Sequence, residues 1–226
     1  MSLLALNKVS LGYDNGAAII KDATFSLEKG DFACVVGANG SGKSTLIRGI
    51  LGLIKPLAGT IEYGESLDHA KIGYLPQETR VDVNFPATVE EIVLTGCLGH
   101  MKMRPFYCHG EHKHVHESLK KLGIESLAKK SFVDLSGGQR QKVLLARSLS
   151  ATKELLILDE PSNNLDPKSR KDFYATLSKL NQKHDLTIIM ITHDLDADDL
   201  IGNKVIAIKD SVVNITTTEQ YLKEYR

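Results

Sequence analysis

Phe32-Ala33-Cys34-Val35-Val36-Gly37-Ala38-Asn39-Gly40-Ser41-Gly42-Lys43-Ser44 decides how this chain folds. Five apolar residues without a break predict a strand covered on both faces, a glycine-rich loop follows, and a helical pattern starts at Lys43. Gly37 to Ser44 matches the pattern GxxxxGK[ST], in which small residues let backbone N–H groups wrap around phosphates at a helix N-terminus. On this reading Gly37, Ala38, Asn39, Gly40, Ser41, Gly42, Lys43, Ser44 and Thr45 form a nucleotide-binding run. Lys43 meets the β- and γ-phosphates, and Ser44 meets Mg²⁺.

Outward from that unit, Leu155 to Leu158, Thr187 to Thr192 and Val205 to Ile208 repeat the buried-strand character, with helical stretches between them. An α/β core with a mostly parallel sheet follows. Alternation at Leu4, Leu6 and Val9, and again at Ala23, Phe25 and Leu27, predicts antiparallel strands closed by Gly12 and by Lys29-Gly30. From Pro86 to about Ser150 no strand pattern is convincing, and Thr88 with Glu91 has the form of a capping box. The expected organisation is one domain over 1–226. Residues 1–85 and 151–226 supply the catalytic core with an N-terminal antiparallel β subdomain, and about 86–150 an inserted helical subdomain. A last helical stretch, Thr218 to Tyr225, leaves no room for a C-terminal regulatory domain.

The 226 residues are 42% hydrophobic and 25% charged, enough apolar content for a sizeable core. Lys plus Arg and Asp plus Glu number 28 each, so no global basic field exists and nucleic acid is not an expected partner. Cys34, Cys97 and Cys108 are too few and scattered for a disulfide framework, which fits a reducing compartment. No run approaches the roughly 20 apolar residues that cross a bilayer, and the start lacks the features of a signal peptide. Work at a membrane would need another chain as anchor.

Two further segments carry chemistry. Leu155-Leu156-Ile157-Leu158-Asp159-Glu160 delivers two carboxylates at the end of a buried strand, where open α/β sheets bind ligands. Asp159 suits Mg²⁺ through a water and Glu160 suits an attacking water as general base; the plainer alternative is a helix cap before Pro161. Leu135-Ser136-Gly137-Gly138-Gln139 begins a second helix with glycines, a second anion-receptive N-terminus, unless Ser136 is an ordinary N-cap. One nucleotide does not need two such cradles.

With GANGSGKS, LSGGQRQKV and LLILDEP in this order, the chain resembles the ATP-binding cassette (ABC) family. The resemblance implies ATP and Mg²⁺ as ligands. It also implies an ATP-dependent head-to-tail homodimer, in which the phosphate loop of one subunit and Ser136, Gly137, Gly138 and Gln139 of the other enclose ATP. It makes Tyr13 the aromatic that stacks on adenine, Gln77 the residue touching Mg²⁺ and the attacking water, and His193 the contact to the γ-phosphate. The implied catalytic group is Glu160, His193, Gln77 and Lys43, and the Mg²⁺ set is Ser44, Gln77 and Asp159. Asp166 belongs to the implied D-loop, which departs from the common pattern at Asn164.

The interval from Lys43 to Asp159 is too short for the coiled-coil insertions of chromosome-maintenance members. Asn84-Phe85-Pro86 with Thr88 to Gly96 is similar to the cassettes of zinc, manganese and iron-chelate importers. The resemblance thus implies a peripheral ATPase subunit at the cytoplasmic face of the membrane. Its permease subunits would be separate integral membrane chains, with an extracytoplasmic substrate-binding protein acting indirectly. A soluble cassette ATPase of iron-sulfur assembly or nucleic-acid maintenance is the competing class. A GTPase or small-molecule kinase would lack LSGGQ.

Five of the eight histidines fall between His100 and His116, near Cys97 and Cys108. The spacing matches no standard zinc pattern and reads first as a solvated loop, with a regulatory metal site at His112 and His116 as the sharper alternative. Asp194, Asp196, Asp198 and Asp199 read as carboxylates opening a helix, and Cys34 as core.

Overall fold

A computed structural model describes residues 2–13, 16–65, 67, 72–77, 86–101, 104–152, 154–163, 165–192 and 200–224. Strands β1 (Ser2–Leu11), β2 (Ile20–Glu28) and β4 (Ala58–Tyr63) form an antiparallel layer, with β3 (Phe32–Val36) and helix α1 (Lys43–Ile50) lying between β2 and β4 in sequence. The gap of three from Leu6 to Val9 breaks strict alternation, yet both side chains are buried. A register shift absorbs the extra residue, with Lys8 at φ 50, so that Leu6 faces Phe25 and Val9 faces Ala23.

The remaining strands are β5 (Ile72–Leu75), β6 (Leu155–Asp159), β7 (Thr187–Ile191), β8 (Lys204–Lys209) and β9 (Val212–Thr217). Among the described residues the sheet order is β4-β1-β2-β9-β8-β3-β7-β6-β5. Strands β8, β3, β7, β6 and β5 are mutually parallel, β9 returns antiparallel to β8, and a single parallel pair, Lys21 with Val212, joins the two layers. Because β3, β7 and β6 are parallel neighbours, their C-terminal ends open on one edge.

Strand alternation divides the core in two. Cys34, Val36, Leu156, Leu158, Ile188 and Met190 face a cluster that includes helices α4 (Gly137–Ala151) and α5 (Pro167–His184). Ala33, Val35, Leu155, Ile157, Ile189 and Ile191 face α1 and the antiparallel layer. Cys34 is fully buried, and burial pushes its thiol up to about 11, so the core reading holds.

Between residues 86 and 151 the described elements are helical: α2 (Val89–Leu94), α3 (His109–Lys121), α4 and short 3-10 turns, apart from one bridge between Thr88 and Ser131. The Thr88–Glu91 capping box forms, with Thr88 Oγ1 accepting the Glu91 N–H at 3.3 Å. The chain closes with α6 (Thr218–Glu224).

The histidine-rich stretch differs from the expected loop. From His109 onward it is α3, because Val115, Leu119 and Leu122 fall on one buried face. Glu111 holds the helix start, accepting the Cys108 N–H and the Arg104 guanidinium, each at 2.5 Å. The Cys108 thiol first, then the Cys108 N–H and the Arg104 guanidinium, hold the Glu111 carboxyl down at about 2.

Candidate active site

Gly37 and Gly42 shape the loop between β3 and α1. A Cβ on Gly37, at φ 155, would stand 2.6 Å from the Ile208 carbonyl oxygen, and Gly42 adopts φ 107 directly before the helix. Neither position accepts an ordinary side chain. Lys43 Nζ spans the loop, donating to the carbonyls of Gly37 at 2.8 Å and Ala38 at 3.1 Å. Burial pulls its ammonium below the usual lysine range, against the opposing pull of Glu160 and Asp159. Ser41 Oγ is buried with no partner among the described residues, a hydroxyl donor available to a phosphate oxygen.

At the end of β6, Asp159 and Glu160 are both buried. Tyr74 of β5 donates its hydroxyl to Asp159 Oδ2 at 3.4 Å; burial, then Asp159, pushes that phenol up to about 12, so it remains a donor. Glu160 leaves the strand at φ 48, a left-handed conformation that a side chain rarely adopts, and its N–H donates to the Ile191 carbonyl of β7 at 3.2 Å. Its Oε2 accepts two amides, Gln77 Nε2 at 2.6 Å and Asn163 Nδ2. Glu160 is therefore no helix cap: α5 begins at Pro167 and its N-cap is Asp166.

A cleft of about 620 Å³ is lined by Asn39, Gly40, Lys43, Ser44, Gln77 and Glu160, with Gly42 and Thr45 also on its wall. The phosphate-loop residues and the carboxylate thus converge although more than a hundred residues separate them. Hydroxyl, carboxylate and amide oxygens from Ser44, Asp159 and Gln77 are the hard donor set that Mg²⁺ takes.

Ser136, Gly138 and Gln139 line a different cleft of about 330 Å³, together with Lys142 and Ser169. Ser136 does cap α4, accepting the Gln139 N–H at 3.4 Å while Gln139 Oε1 accepts the Ser136 N–H at 3.0 Å. Gly137 has open space where a Cβ would stand. Asp166 accepts the backbone N–H groups of Lys168 and Ser169, each at 3.1 Å, so locally it is a cap. Tyr13 is exposed, and its hydroxyl accepts from Arg48 Nη1 at 2.6 Å. His193, Asn164, Asn84, Phe85 and the aspartates 194–199 lie outside the described residues.

Sequence reasoning missed Tyr74 and Gln141, and it placed Asn163 only in the implied D-loop run from Ser162 to Asp166, not beside Glu160. Asn163 had one available signal, its place three residues after Glu160 in a turn closed by its own N–H on the Glu160 carbonyl at 3.4 Å. Tyr74 and Gln141 had none, since their partners come from distant elements. His112 pairs with Glu90 at 3.1 Å and His116 with Glu125 at 3.4 Å, separate carboxylates for the two imidazoles. Among the described residues no three metal-ligating side chains gather, and no helix is long and apolar enough to cross a membrane.

Residues 20–163 match the sequence model of the ABC transporter family. The chain belongs to that family. Among ABC relatives, the chelated iron transport system membrane protein YfeB of Yersinia pestis is 37% identical over 93% of this chain and 72% of its own. The zinc uptake system ATP-binding protein ZurA of Listeria innocua serovar 6a is 35% identical over 97% of this chain and 87% of its own. An ABC transporter assigned to the metal-chelate type, solved in an inward-facing conformation, superposes with a TM-score of 0.86 at 30% identity, covering 98% of this chain and 86% of that one. The ATP-binding cassette MJ0796, solved as a dimer bound to ADP and Pi, gives 0.72 at 29% identity over 95% and 98%. As an ABC ATPase, this chain has the family's nucleotide-binding fold and an ATP-hydrolysing role.

Proposed function

We propose that this ABC ATPase powers the import of a metal ion or metal chelate, docked on separate permease subunits at the cytoplasmic face of the membrane. An extracytoplasmic binding protein would deliver the cargo. The likeness to zinc and chelated-iron systems over nearly the whole chain supports the cargo class. The meeting of Lys43, Ser44, Gln77 and Glu160 in one cleft is the observation that carries the chemistry.

Backbone N–H groups of the glycine-rich loop and the Lys43 ammonium bind the phosphates, and α1 directs its N-terminus at them. Ser44, Asp159 and Gln77 would hold Mg²⁺, which when bound neutralises charge developing on the phosphate oxygens. Glu160 takes the proton of the attacking water. His193, after β7, contacts the γ-phosphate, and Tyr13 stacks on adenine. Ser136, Gly138 and Gln139 face a different cleft from Lys43, which supports completion of each nucleotide site by a second copy of the chain. Asp166 lies beside that signature group, where Ser169 joins the two.

Purified protein with Mg-ATP tests the reading. Lys43→Ala should lose ATP binding and turnover together, whereas Glu160→Gln should bind ATP normally and lose turnover by about 10² or more, the general-base range. Wild-type turnover in Glu160→Gln would reject Glu160 as the base.

A further inference from the structure

Gln141 stands on α4 two residues beyond Gln139 and has no part in the capping box. Its Nε2 donates to the Pro161 carbonyl at 2.6 Å, crossing from the helix that carries the signature group to the residue directly after Glu160. That segment is held on every side. The Glu160 N–H is bonded to Ile191 of β7, and Ser162 Oγ, buried, lies 2.8 Å from the Tyr174 hydroxyl of α5. Gln141 supplies the contact from α4.

The need for such a contact follows from the backbone. Glu160 sits at φ 48, a strained conformation that persists only where the surroundings over-determine it. Relaxation toward an ordinary φ would swing the following peptides. Pro161 has its own φ locked near −65° by the ring, so the remaining freedom is the orientation of its carbonyl. Gln141 holds that carbonyl.

We propose that Gln141 is a positioning residue for Glu160, keeping the carboxylate aimed into the phosphate-loop cleft through the Pro161 carbonyl; this rests on the reading of Glu160 as the base that activates water. The bond acts within one chain. Loss of the donor leaves the phosphate loop untouched and misdirects the carboxylate, so it lowers kcat and leaves ATP affinity alone.

Steady-state ATPase kinetics and equilibrium ATP binding on the purified full chain provide the test. Gln141→Glu keeps the side-chain length and replaces the N–H donor with an acceptor facing a carbonyl; Gln141→Met removes the donor at similar volume. Each should lower kcat about three- to tenfold, the range of one hydrogen bond, with KM and the ATP dissociation constant within twofold of wild type. Gln141→Lys returns an N–H donor and should recover at least half of the lost kcat. A Gln141→Met or Gln141→Glu kcat within twofold of wild type overturns the proposal. So does a Lys variant as slow as the Met variant with KM raised in both, which marks helix packing instead. Glu160→Gln is assayed alongside: full turnover there rejects the reading of Glu160, while its loss beside unimpaired Gln141 variants rejects the role of Gln141 alone.

Discussion

Gln77 donates its side-chain amide to Glu160 Oε2 at 2.6 Å, joining the loop after β5 to the end of β6. The two residues are 83 positions apart, and their strands are parallel neighbours in register from Ile72 with Leu155 to Leu75 with Leu158. The glutamine expected at metal and water is therefore also bonded to the carboxylate expected to activate that water. Glu160 Oε2 has Asn163 as a second donor.

Asn163 should thus matter for turnover. Asn163→Ala removes one of the two amides orienting the carboxylate, and kcat should fall about tenfold, as for a misplaced reacting group, with KM for ATP within twofold. Asn163→Asp should be worse, since it sets a second carboxylate against Glu160. Steady-state kinetics on both variants decide it; equal and wild-type rates would remove Asn163 from the site.

ATP should join two copies of the chain. Light scattering of Glu160→Gln with Mg-ATP should show a doubled mass. Ser136→Arg should abolish the shift, by removing a cap and putting a bulky cation at the helix N-terminus proposed to face the partner copy's nucleotide. Persistence of the dimer in that variant would point to another interface.

Asp31 links the turn before β3 to β8, accepting from Lys204 at 2.7 Å, from Asn203 at 2.9 Å and from the Glu28 N–H at 2.7 Å. Burial raises its pKa, and the bonds from Lys204, Asn203 and Glu28 outweigh that and bring it below the ordinary 3.8. A carboxylate with a depressed folded-state pKa stabilises the fold above its unfolded value, and that contribution is lost as pH falls through the folded one. Asp31→Asn should lower stability at pH 7 by about 1–3 kcal/mol, as for a broken buried charge-assisted network. The difference from wild type should begin to shrink below about pH 4, where the aspartate of the unfolded chain takes up a proton, and should vanish only at the lower pH at which folded Asp31 is protonated as well. Denaturant midpoints at pH 7 and pH 3 measure it; an equal loss at both pH values would contradict the assignment.

The α3 histidines should hold no stoichiometric zinc. His112 and His116 have separate carboxylate partners, and a structural zinc site takes four ligands. After mild chelation, elemental analysis should find far less than one zinc per chain, and His112→Ala with His116→Ala should keep basal ATPase activity. About one zinc per chain, lost in the double variant, would make α3 a metal site.

What could be read from the amino-acid order alone was whatever depends on neighbours in the chain. Strand β3, the loop and α1 follow from a run of apolar residues, glycines and a helix start, all local properties, and so do the capping boxes at Thr88 and Ser136. Repeated buried-strand runs were enough for a parallel core. The histidine stretch misled because polar residues outnumber its narrow apolar stripe, Val115 with Leu119, and the packing of that stripe against α4 is what settles it as a helix. Packing also decided everything that links distant elements. Sheet order put β7 between β3 and β6, which brings Lys43 and Glu160 to one cleft. The left-handed turn at Glu160, its two amide donors and the grip of Gln141 on Pro161 depend on strands and helices meeting at one edge, a relation that no local spacing encodes.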